Sequence, residues 1–150
     1  MKRLISLLIV FALVFGLYSC KGERDAHRLL KEFITVYGAE GVIYSPNIAE
    51  GESGYIEKGF LEKIYVFSGN FPDNYALFLN THPISPAECG VFVTDNADEI
   101  AMVEEMCLER IRLLSGGGEH AFVKISGDTV FYSTMQDRER AEKIWREIIR

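Results

Sequence analysis

The sequence predicts an α+β domain: a two-layer sandwich with an antiparallel four-stranded sheet built from two ββα units, and an additional N-terminal helix. Three observations predict it. Two pairs of short segments rich in aromatic and β-branched residues, Tyr75–Asn80 with Cys89–Thr94 and His120–Ser126 with Thr129–Thr134, are separated by the breakers expected of hairpins. Each pair is followed by a segment whose apolar residues recur at helical spacing. Residues 20–150 suffice for one hydrophobic core and are too few for a second domain, since domains commonly run to roughly 100–150 residues.

Taken in order, the first helix is announced by Ala26, Leu29, Leu30, Phe33 and Tyr37, spaced by threes and fours, with Gly38 as its natural cap. Residues 39–54 carry Gly41, Pro46, Gly51 and Gly54 without periodicity and read as loop, with a short extended piece at Val42–Tyr44. Tyr55–Val66 reads as a short helix with Ile56, Phe60, Ile64 and Val66 inward, weakened by Gly59. A turn at Phe67–Asn74 leads to the first strand pair, whose strands are stopped by Pro83 and Pro86. Asp95, Asn96, Asp98 and Glu99 form a helix start, and Ile100, Val103, Cys107, Ile111 and Leu114 carry one face on to Ser115 and Gly116. Gly127-Asp128 has the spacing of a two-residue hairpin turn. Asp137 then caps a last helix with Ala141, Ile144, Trp145 and Ile148 inward. Antiparallel strands with helices gathered on one face leave the other face to solvent or to the N-terminal segments.

The first twenty residues are of a different kind. Lys2 and Arg3 precede an apolar run from Leu4 to Leu17, interrupted only by Ser6 and Gly16. That run of about 14 residues is shorter than the roughly 20 that cross a bilayer as a helix, and it shows no polar face, so it reads as a signal peptide over residues 1–19. It ends in Leu17-Tyr18-Ser19-Cys20, which resembles the bacterial lipobox. That resemblance implies a diacylglyceryl group on the Cys20 thiol and cleavage between Ser19 and Cys20, leaving 20–25 as a short tether and 26–150 as the domain. An ordinary secretory signal and an uncleaved anchor are the competing readings. Two or more acyl chains suffice for stable attachment, because each buried methylene contributes about 0.8 kcal/mol.

Without Lys2 and Arg3 the chain has 14 basic against 22 acidic residues, a net charge of about −8 with histidines neutral. Such an acidic balance argues against nucleic-acid binding, which needs clustered Lys and Arg, and against electrostatic attraction to anionic lipid. The membrane partner is then reached through the lipid on Cys20 alone. Cys89 and Cys107 remain; an exported pair invites a disulfide, but a domain of this size needs no staple, and two buried thiols are the favoured reading.

Reactive constellations are scarce. Neither Ser53 nor Ser68 lies in a nucleophile elbow, and His27, His82 and His120 are too scattered for a zinc site. Asp95, Asp98 and Glu99 lack the repeat of a calcium loop, and Gly116–Gly118 leads into a strand where a phosphate cradle would lead into a helix. Glu104, Glu105, Glu139 and Glu142 fall on the solvent side of their helices. Phe67, Phe71 and Tyr75 around Pro72 are the one aromatic cluster near a turn, and the favoured reading places them beneath the loop in the core. No catalytic residue, cofactor or metal ligand is assigned.

Glu88-Cys89-Gly90-Val91-Phe92-Val93, the helix ending near Arg110, Gly127-Asp128-Thr129-Val130-Phe131 and Glu139-Arg140-Ala141-Glu142-Lys143-Ile144 together resemble the bacterial lipoprotein family carrying domain of unknown function 4358. The resemblance covers roughly Asp73 to Arg150. It implies an exported lipoprotein and supplies no activity. The expectation is therefore a non-catalytic binding or interaction module on the extracytoplasmic face of the cell membrane, with an envelope protein as partner. The alternative is a cell-surface enzyme, or an accessory subunit of a transporter, with a site assembled from scattered residues. A pocket lined by polar groups of shifted pKa would favour that alternative, and an exposed apolar patch without them would favour the binding module.

Overall fold

The computed structural model describes residues 24–67, 71–81, 87–114 and 118–150. The leader, Cys20, the Pro83–Pro86 connection, Ser68, His82 and most of the 116–118 glycine run lie outside the described residues. Helix α1 (Ala26–Tyr37) forms as its spacing demands: the Asp25 carboxylate accepts from the amides of His27 and Arg28, and Gly38, at φ 75°, donates its amide to Ile34. Strand β1 (Gly41–Tyr44) and helix α2 (Lys58–Ile64) follow. The hairpin strands β2 (Asn74–Asn80) and β3 (Glu88–Val93) lead into helix α3 (Ala97–Leu113), whose start is capped by the Asn96 side chain. Strands β4 (Phe122–Ser126) and β5 (Thr129–Ser133) form the second hairpin, and helix α4 (Arg138–Ile148) begins on the Asp137 cap.

Two features differ from the sequence expectation. The antiparallel sheet has five strands, in the order β1-β2-β3-β5-β4, because the extended piece at 41–44 pairs along β2, with Gly41 opposite Asn80 and Tyr44 opposite Leu77. Helices also cover both faces. On one face Ala76, Phe78, Cys89, Val91, Val93 and Phe131 pack beneath α1 and α4. On the other, Leu77, Phe92, Val130 and Tyr132 pack against Val103, Met106 and Cys107 of α3 and against Leu61, Tyr65 and Phe71. The two-layer arrangement therefore fails, and so does the equivalence of the two ββα units, since α3 and α4 lie on opposite faces. The cause is legible in the strands: all six residues of β3 and all five of β5 are buried, so both sides of the central sheet are apolar and both need cover.

Helix α2 is shorter than the 55–66 expectation; Ile56 ahead of it is buried and Ile64 packs against the core as expected, but Phe60 and Val66 do not turn inward. Leu61 is fully buried, while Phe60 and Val66 are 54% and 69% exposed. A helix of so few turns buries one narrow stripe; Phe60 falls off it and Val66 lies past its end, where the backbone is already extended at Tyr65. Phe71 and Tyr75 take the core positions beneath the loop. Cys89 and Cys107 are both buried and free, and the sheet separates them, since one belongs to the α1/α4 core and the other to the α3 core. A disulfide between them is excluded by that placement.

Candidate functional site

Glu88 opens β3 on the α3 side of the sheet and is only 4% exposed. A buried carboxylate survives only if its charge and lone pairs are matched. Arg110, one turn from the end of α3, does this in a two-pronged way: Nε reaches Oε1 at 2.8 Å and Nη2 reaches Oε2 at 2.6 Å. The Tyr132 hydroxyl also donates to Oε1, and the Tyr65 hydroxyl stands 2.5 Å from that of Tyr132. Because Tyr132 donates to the carboxylate, Tyr65 must be the donor to Tyr132. The Arg110 guanidinium lies over the Tyr65 ring at 5.7 Å and donates through Nη1 to the Ile64 carbonyl at 3.5 Å.

Gly90 makes room for this network. It faces Tyr132 across the β3–β5 ladder, and a methyl group there would collide with the Tyr132 ring and crowd Leu77 at 3.0 Å and Phe92 at 3.1 Å. The Glu88 backbone is satisfied as well, its amide donating to Thr134 Oγ1 at 2.8 Å and its carbonyl accepting the Thr134 amide at 2.8 Å. With both carboxylate oxygens engaged, the cluster ties β3, β5, α3 and the end of α2 together.

Burial pushes the Tyr65 and Tyr132 hydroxyls well above the ordinary phenol value, and the nearby Glu88 charge adds to both. The Cys107 thiol is raised by burial and then by Glu88, and burial raises Cys89. Hydrogen bonding to Glu88 raises Arg110, which stays charged throughout the accessible pH range. The folded protein thus keeps protons that the unfolded chain releases above the ordinary values of 9.0 for thiols and 10.0 for phenols. The stability these groups contribute is expected to be level below about pH 9 and to fall as pH rises, by up to about 1.4 kcal/mol per pH unit for each group ionised only in the unfolded chain. Urea unfolding across this range checks it. A steeper slope above about pH 10, made shallower by Tyr132→Phe, is the expected result, and stability unchanged to about pH 11 contradicts it.

The other sequence candidates are not brought together. His27 lies on α1 with its Nδ1 buried and without a hydrogen-bond partner among the described residues, His120 is exposed in the turn before β4, and Ser53 is exposed in the loop after β1. Among the described residues no group of three His, Cys, Asp or Glu side chains is placed to hold a metal ion. Glu99 accepts the Thr94 hydroxyl at 2.5 Å beside the Asn96 cap, consistent with the capping role expected of this acidic start. Glu142 is held by Arg138 at 2.9 Å and Lys124 at 3.7 Å, which keep its carboxyl below the ordinary value.

One surface feature stands apart from these. A groove of about 480 Å³ runs between α3 and the segment after α2, lined by Val66, Phe67, Met102, Met106 and Leu108, with Glu105, Glu109 and Arg112 around it. Val66, Leu108 and Met102 are 69%, 52% and 37% exposed, so apolar surface meets water along it. Glu109 and Arg112 bond to each other, Arg112 Nε to Glu109 Oε2 at 2.8 Å, and this contact lowers the carboxyl and raises the guanidinium. They line the groove while engaged with one another.

No family model, no curated protein and no solved structure matches the chain. Sequence reasoning missed the Glu88–Arg110 pair, although it placed one residue at a strand start and the other on a helix. A charged residue at the start of a strand ordinarily reads as exposed, and the partner lies on another element. A single sequence carries no signal that joins them.

Proposed function

We propose that the chain is an exported lipoprotein, kin to the family carrying domain of unknown function 4358 and held to the extracytoplasmic face of the cell membrane by lipid on Cys20. Its domain acts there as a non-catalytic binding or interaction module toward an envelope partner. The observation that carries this reading is the leader: a positive start, an apolar run too short to span the bilayer, and Leu17-Tyr18-Ser19-Cys20 at its end. One structural observation supports it. The groove beside α3 exposes Val66, Met102 and Leu108 to water, apolar surface of the kind that a contact with a partner covers.

Cell fractionation of the wild type and of Cys20→Ala tests the anchor. The wild type is expected in the membrane fraction, and Cys20→Ala is expected to accumulate as unprocessed precursor without lipid. Unchanged processing and retention of Cys20→Ala would remove the basis of the proposal.

A further inference from the structure

The first described residue is fastened to one particular end of the sheet. Arg24 Nη1 donates to the Ser126 carbonyl at 2.8 Å and to Asp128 Oδ1 at 2.6 Å, at the β4–β5 turn. The Arg24 carbonyl accepts from Asn74 Nδ2 at 2.8 Å, and the Ala26 amide donates back to Asn74 Oδ1 at 3.0 Å. Asn74 begins β2 opposite Val93, and Val93 pairs with Thr129, so these contacts all lie at the same end. The Thr94 amide, bonded to the Asp128 carbonyl at 2.9 Å, belongs to this end too. At the opposite end stand Asn80, Glu88 and Ser133, together with Tyr37 at the finish of α1 and Asp137 at the start of α4, the Asp137 amide donating to the Tyr37 hydroxyl at 3.3 Å.

Cys20 precedes Arg24 by four residues, which even fully extended reach only about 14 Å. The strands carry the far end about 20 Å further. We propose that the mature protein stands end-on at the lipid surface, with the β4–β5 turn and the Thr94–Asp98 segment facing the bilayer and the Glu88–Ser133 end directed away from it. This rests on the lipid at Cys20 proposed above. The tether lets the domain tilt but is too short to let it invert, because inversion would put the whole length of the sheet between Arg24 and its anchor. The Arg24 clamp sets the polarity: it decides which end of the sheet the tether leaves from.

The test uses the full lipidated protein, reconstituted in phosphatidylcholine vesicles containing nickel-chelating headgroups. A nitroxide is placed at exposed Asp95 in one variant, D95C, and at exposed Gln136 in another, Q136C; Cys89 and Cys107 are fully buried and take no label. Paramagnetic relaxation by the headgroup metal is expected to be about threefold or more stronger at position 95 than at position 136, given the separation along the strands. Equal relaxation, or stronger relaxation at position 136, on vesicle-bound protein overturns the end-on arrangement and leaves the anchor standing. Protein that binds these vesicles equally well with Cys20→Ala added overturns the anchor itself, and with it the end-on proposal.

Discussion

Arg110→Ala is expected to cost about 3–5 kcal/mol of folding stability, because it leaves the Glu88 carboxylate buried without its counter-charge. That is a large part of the roughly 5–15 kcal/mol that holds an ordinary domain together. The cost belongs to the unpaired charge and not to the worth of the bridge. Two partly desolvated ions of good geometry come close to offsetting their own desolvation, so removing both charges costs far less than removing one. The double variant Glu88→Gln with Arg110→Met keeps an acceptor for the Tyr132 hydroxyl and fills the guanidinium's space with apolar atoms. It is expected to recover most of the loss in urea unfolding. A loss below about 1 kcal/mol for Arg110→Ala, the range of an exposed pair, would show that Glu88 reaches water and that the network is not a core element.

Trp145→Ala on the opposite face is expected to cost a similar 3–5 kcal/mol or so. The indole is 1% exposed and stacks on Phe131 at 4.1 Å between ring centroids, with 14° between planes. Phe131 in turn meets Phe33 of α1 at 4.9 Å and Phe122 of β4 at 5.7 Å, so the tryptophan closes an aromatic cluster that joins both helices of that layer to the sheet. Its Nε1 is buried and has no acceptor among the described residues. Trp145→Phe retains a stacking ring and removes that unmatched donor, so the lost volume is partly offset and a loss of about 1–2 kcal/mol is expected. Equal losses for the two variants would mean that ring stacking contributes little and that α4 is held by its aliphatic residues instead.

The helices were legible because their signals are local. Asp25 before Ala26, Gly38 after Tyr37, Asn96 before α3 and Asp137 before α4 are caps that act within one turn, and the inward stripes of α1 and α4 follow from spacing alone. Both hairpins were legible for the same reason, with Gly127 at φ 66° in the second turn. What was not legible depends on distant partners. Gly41–Tyr44 is too short to announce a strand and becomes one only by pairing with Leu77–Asn80. The second helical layer was missed although a clue was present: Cys89-Gly90-Val91-Phe92-Val93 does not alternate, and an unbroken apolar strand is buried on both faces. The Glu88 network could not be read at all, since its four side chains come from four parts of the chain. The proposed anchor lies at the other extreme: its signal is wholly local in sequence, and it falls on residues that precede the described structure.

The anchored-lipoprotein reading is tested most directly by the mass of the N-terminal peptide from native protein extracted out of membranes with detergent. The account predicts a chain that begins at Cys20 and carries a diacylglyceryl thioether. A chain that begins elsewhere, or a Cys20 with an unmodified thiol, would contradict it.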